Sequence, residues 1–151
     1  MTFDAPGGTV KASSTTDRMV RRTRLIIADD HPDMREVVVR LLEPDFEIVA
    51  AAGDGATALD DAINYQPDLL VLDISMPSLT GIEVARRLKA VGSKTHIVFL
   101  TVTEDTDFLR EAFAAGASAY VVKSRMATDL REAINEVLGG YTFISPPLAL
   151  N

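Results

Sequence analysis

Four short apolar runs constrain this chain more than any other feature, because each ends in a residue that can do chemistry. Leu25-Ile26-Ile27-Ala28 runs into Asp29-Asp30, Leu69-Leu70-Val71-Leu72 into Asp73, Ile97-Val98-Phe99-Leu100 into Thr101, and Ala119-Tyr120-Val121-Val122 into Lys123. Runs this short and β-branched, separated by helix-length amphipathic stretches, read as parallel strands buried on both faces. The alternation predicts strands over 24–28, 46–51, 68–72, 95–100 and 118–122, and helices over 32–43, 55–65, 81–91, 104–115 and 126–138. Five such βα units with right-handed crossovers make an α/β fold, a doubly wound five-stranded parallel sheet. Punctuation agrees: Pro32 suits the first turn of a helix, Gly53 and Gly55 bracket Asp54 ahead of the second, Gly116 suits the end of the fourth, and Gly139-Gly140 closes the fifth. On the last helix Met126, Leu130, Ala133, Ile134, Val137 and Leu138 recur at helical spacing and are expected in the core.

In open α/β sheets ligands bind at the carboxyl ends of the strands. That edge would gather three carboxylates, a hydroxyl and an ammonium. Each has an ordinary structural role available alone: Asp30 as a helix N-cap, Asp73 as a turn acid before Pro77, Thr101 as a strand end, Lys123 as a surface lysine. Their joint placement on four strand ends argues for a phosphoryl-transfer site. Converging carboxylates repel one another and raise a pKa unless a cation sits among them. Mg²⁺ suits, because it takes oxygen ligands and is commonly held by one or two carboxylates plus a phosphate.

Composition narrows the alternatives. The 151 residues contain no cysteine, which excludes disulfides and thiolate chemistry, and two histidines, His31 and His96, are too few for a histidine-built zinc site; any metal is expected on oxygen. No apolar stretch approaches the roughly 20 residues of a membrane helix, and the N-terminus has no signal-peptide core, so a cytoplasmic location is expected. The net charge of -7 is uneven: residues 1–24 hold five basic and two acidic side chains, leaving ten basic and twenty acidic beyond them. So acidic a body repels duplex nucleic acid. Residues 1–22 are rich in Gly, Ser and Thr without periodicity and read as a flexible arm; 23–140 form the domain, and 141–151 a C-terminal tail or truncated linker.

The stretches IIADDHPDMRE, LVLDISMPSLTG, IVFLTVTED and GASAYVVKS resemble the receiver domain of two-component response regulators over residues 24–140. The resemblance implies the (βα)5 flavodoxin-like fold. It implies that Asp29 and Asp30 help bind Mg²⁺, that Asp73 accepts a phosphoryl group, and that the Ser75 backbone carbonyl ligates the metal. It implies further that Thr101 and Lys123 contact the phosphoryl group and that Tyr120 changes rotamer on activation, turning inward as Thr101 is drawn to the phosphoryl and altering the face of the fourth helix, fifth strand and fifth helix. The implied phosphoryl donor is a histidine kinase or histidine phosphotransfer protein, and the output a downstream protein target, with a homodimer compatible. The chain is not expected to be an enzyme beyond its own phosphorylation and dephosphorylation.

Three departures qualify the resemblance. Val102 stands where many receivers have Ala, Ser or Gly; Ser124 stands where many have proline, so the Lys123-Ser124 peptide is open between cis and trans; and Ser75 and Thr103 supply no acid or amide to position an attacking water. Residues 139–147 are similar to the exit from receivers that continue into a helix-turn-helix domain, so a stand-alone receiver and a fragment of a DNA-binding regulator both fit. A haloacid-dehalogenase-like phosphohydrolase is the rival, but it wants an aspartate two residues after its nucleophile. His31 follows Asp29 and Ser75 follows Asp73 at that spacing.

Overall fold

The computed structural model describes residues 22–150. It runs β1 (Arg24–Ala28), α1 (Pro32–Leu42), β2 (Glu47–Ala52), α2 (Gly55–Tyr65), β3 (Leu69–Leu72), α3 (Gly81–Ala90), β4 (His96–Thr101), α4 (Thr106–Ala114), β5 (Ala119–Val122), a 3-10 turn (Lys123–Arg125), α5 (Met126–Leu138) and β6 (Phe143–Ile144). The strands form one parallel sheet in the order β2-β1-β3-β4-β5-β6. The five expected βα units are present. A sixth strand is added where the sequence suggested only a tail, because the open edge of β5 has backbone groups that Phe143–Ile144 can pair.

Alternate residues of each strand serve opposite layers, which is why the runs are apolar throughout. Leu25, Ile27, Leu69 and Val71 pack with α1 (Val38, Leu42) and α5 (Leu130, Ile134, Val137). Ile26, Leu70 and Leu72 pack with α2, α3 and α4 through residues such as Ala58, Leu88 and Leu109. At about 25 cal/mol per Å² of apolar surface, these two layers supply the main drive to fold. On α5 the predicted core holds for Leu130, Ala133, Ile134 and Val137, while Met126 is half-buried and Leu138 is 41% exposed.

Local chemistry sets the boundaries. The Asp54 side chain accepts from Thr57 N–H at 2.8 Å and starts α2; Thr80 and Glu83 close a capping box on α3. The α4 helix begins at Thr106, later than expected, because Asp105 caps it by accepting from Asp107 N–H. Gly116 follows α4 at φ +109°, a left-handed conformation open to glycine. Residues 1–21 of the expected arm lie outside the described residues. Arg22 belongs to the domain instead: its guanidinium donates to the Glu43 and Phe46 carbonyls.

Candidate functional site: an acidic cleft at the carboxyl edge of the sheet

The strand order reverses between β1 and β3, and parallel register puts their ends level, with Ala28 beside Leu72. Asp29 and Asp73 are the next residue on each strand. Their backbones are held by Asp29 N–H to Ala52 O and Asp73 N–H to Ala28 O, both 3.0 Å. The loop after β3 turns sharply against the start of α3, where a Cβ on Gly81 would lie 2.1 Å from Asp73 O, so no larger residue fits. Lys123, from the end of β5, reaches across β4 into the cleft between the two acids. Its Nζ donates to Asp29 Oδ2 at 2.7 Å and to Asp73 Oδ2 at 3.1 Å.

All three groups are nearly dry: the side chains of Asp29, Asp73 and Lys123 are 4%, 6% and 9% exposed. Burial pushes the Asp73 carboxyl above its usual value and Asp29 adds to that, against the opposing pull of Lys123 and a backbone hydrogen bond from Ser75. Burial also opposes the Lys123 charge, but Asp29 and Asp73 outweigh it and hold the ammonium above the ordinary lysine value. One cation is thus shared by two buried acids, with a third, Asp30, alongside. Among the described residues Asp30 Oδ1 is buried without a hydrogen-bond partner; His31 Nδ1 is 3.1 Å away but not in bonding geometry. Asp30 does not cap α1, whose N-cap residue is His31.

These features test the fit of a divalent cation. Asp29, Asp30, His31 and Asp73 each offer an atom within 4.8 Å of all the others, and an orphaned carboxylate oxygen is the kind of atom a cation satisfies. The residues fit. The sequence reading did not place His31 beside this group, where its Nδ1 lies 3.2 Å from Asp29 Oδ1. It also missed Arg35, whose guanidinium donates to Asp29 O at 2.7 Å and braces the β1 end.

The remaining predicted residues are placed as follows. Thr101 is buried at the end of β4, with Oγ1 accepting from Thr103 N–H at 3.3 Å. Tyr120 is fully buried, and its hydroxyl donates to Thr103 O at 2.9 Å. Burial, aided by Asp105, Asp73 and Glu104, pushes its phenol up to about 12. In this conformation the ring lies inward, packed in the core with its hydroxyl on Thr103 O. Ser75 lies exposed in the β3–α3 loop, and Val102 is an exposed residue at the end of β4. The Lys123-Ser124 peptide is trans, since among the described residues only Pro146-Pro147 is cis.

Comparison with known proteins agrees with this geometry. The model of the response regulator receiver domain matches residues 25–135, and the chain belongs to that family, the receivers of two-component systems. It is similar to the transcriptional regulatory protein DegU of Brevibacillus brevis, 34% identical over 132 residues, covering 86% of this chain and 56% of that protein. The nitrate/nitrite response regulator protein NarP of Escherichia coli is 38% identical over 113 residues, covering 74% of this chain and 53% of NarP. Among solved structures, a two-component response regulator of the LuxR family from Aurantimonas sp. SI85-9A1 aligns with TM-score 0.79 and 35% identity, over 83% of this chain and 91% of that one. The signal receiver domain of the NarL regulator from Mycobacterium tuberculosis aligns with TM-score 0.77 and 28% identity, over 80% and 99%. The chain spans little more than half the length of the curated relatives it matches. Among the described residues no helix is long and apolar enough to cross a membrane.

Proposed function

We propose that the chain is a phosphoacceptor switch in which Asp73 takes a phosphoryl group from a histidine kinase or histidine phosphotransfer protein. The observation that carries this reading is the Lys123 ammonium shared between two buried carboxylates, beside an orphaned Asp30 oxygen. An Asp73 carboxylate oxygen forms the bond to phosphorus as the bond from phosphorus to the donor nitrogen breaks, the electron pair leaving with that nitrogen. Lys123 then follows the new charge, exchanging an Asp73 oxygen for a phosphoryl oxygen, and the Thr101 hydroxyl, which here accepts from Thr103 N–H, donates to another. Asp30 and Asp73, with Asp29 and the Ser75 carbonyl, would hold Mg²⁺, which when bound offsets the charge gathered around phosphorus. The acyl phosphate adds about -1.5 to -2 charge, by analogy with other phosphorylated side chains. The new charge loosens Lys123 and Thr101 from their present partners and biases the α4, β5 and α5 face. No catalysis is proposed beyond the chain's own phosphorylation and dephosphorylation, and its place is the cytoplasm. The test is mass spectrometry after incubation with acetyl phosphate, with and without Mg²⁺. Wild type gains one base-labile phosphoryl group only with Mg²⁺, and labelling of Asp73→Asn to the same extent overturns the assignment.

The names of the relatives and the share of their length matched support a second statement, that the receiver governs a DNA-binding output lying outside these residues. These 151 residues themselves are expected to bind no specific DNA sequence. The altered face meets another protein segment or a second copy, which gel-shift and size-exclusion measurements check.

A further inference from the structure

The C-terminal segment is built into the support of the site. Ser145, directly after β6, donates its N–H to Tyr120 O at 2.9 Å. Its hydroxyl accepts from Val122 N–H at 3.1 Å and donates to Asp129 Oδ2 at 2.8 Å. Ser145 is 0% exposed and Asp129 on α5 is 3% exposed. Asp129 in turn receives a fork from the Arg125 guanidinium, at 2.8 and 3.2 Å, and the Thr128 hydroxyl at 3.0 Å. One buried hydroxyl therefore ties the residue before Lys123 to the network that holds the residue two after it.

Lys123 lies between these two anchors, on a 3-10 turn of three residues. Its ammonium must stretch from β5 past β4 to reach Asp29 and Asp73, so a small shift of its backbone is carried to the contact distances. Ser124 does not stiffen that turn as a proline would. We infer that Ser145 is a positioning residue for Lys123, clamping the end of β5 and the start of α5 so that the ammonium meets the phosphoryl oxygens. The proposal makes the segment after α5 part of the phosphorylation machinery rather than a passive exit, and it rests on the phosphoacceptor reading above.

The test measures binding of Mg²⁺ alone and of beryllium fluoride in the presence of Mg²⁺, using the full chain and a double-mutant cycle. Ser145→Ala should weaken beryllium fluoride binding by about tenfold, the scale of one buried hydrogen bond, with Mg²⁺ affinity not reduced, since Lys123 shares Asp29 and Asp73 with the metal and loosening it leaves them freer to bind the cation. In a Lys123→Ala background the same change should cost nothing further, because the group it positions is gone. An equal loss in both backgrounds, a parallel loss of Mg²⁺ affinity, or no loss at all overturns the proposal. If Ser145→Ala does not fold, Asp129→Asn breaks the same network from α5 and is read by the same cycle. Wild type that binds no beryllium fluoride counts against the phosphoacceptor reading, whereas wild type that binds it beside an unaffected Ser145→Ala counts against Ser145 alone.

Discussion

The two ends of the parallel sheet are built on opposite principles. At the amino end, polar groups find backbone partners: Arg24 donates to the Tyr65 and Gln66 carbonyls, Thr95 Oγ1 to Pro67 O, and Arg22 to two carbonyls beyond α1. At the carboxyl end, Asp29, Asp73 and Lys123 are buried with one another and Asp30 keeps an unpartnered oxygen. A groove of about 850 Å³ lies at the satisfied end, lined by residues such as Pro67, Ser93 and Thr95. Concavity therefore misplaces the site here, while unbalanced charge finds it. A functional end keeps interactions waiting for a ligand, and a structural end has none to spare.

Breaking that contrast begins with the largest effect. Asp73→Asn should abolish phosphoryl incorporation, read by intact-mass measurement. It should also raise the metal-free melting temperature at neutral pH, because a carboxyl whose folded pKa is raised contributes stability fully present below its unfolded value near 3.8 and lost as pH rises through the folded one. The advantage of the variant should shrink as the pH is lowered through that window; an advantage that grows instead shows that Asp73 is stabilised as its anion.

Lys123→Ala leaves two buried carboxylates without their cation and should cost about 3–5 kcal/mol in metal-free urea titrations. Mg²⁺ should restore part of that stability. A loss under 1 kcal/mol, on the same scale as an exposed pair, would mean that water already screens the cleft.

At the other end Arg24→Ala removes hydrogen bonds to two carbonyls and should cost about 1–2 kcal/mol, with the phosphorylation rate unchanged. A slowed rate would show that the two ends are coupled through β1. The smallest effect is expected for Asp30→Ala: weaker Mg²⁺ binding by calorimetry, with metal-free melting raised by a degree or two on the scale of a few tenths of a kcal/mol. Lower metal-free melting together with unchanged Mg²⁺ affinity would remove Asp30 from the metal site.

Much of this was legible in the linear chain, and the reason is periodicity. A strand buried on both faces has to be apolar at every position, so Leu25 to Ala28 and Leu69 to Leu72 announce themselves, and parallel pairing brings their ends to one edge. Asp29, Asp73, Thr101 and Lys123 follow from that rule. Interactions across space carry no such pattern. That Lys123 bridges two particular acids, that Tyr120 already lies inward on Thr103 O, and that His31 and Arg35 join the cleft depend on side-chain reach and the relative tilt of elements. The tail makes the same point most sharply. Phe143–Ile144 is too short to signal a strand, and it becomes one only because folding leaves the β5 edge open beside it, where Ser145 meets an acid sixteen residues earlier in the chain.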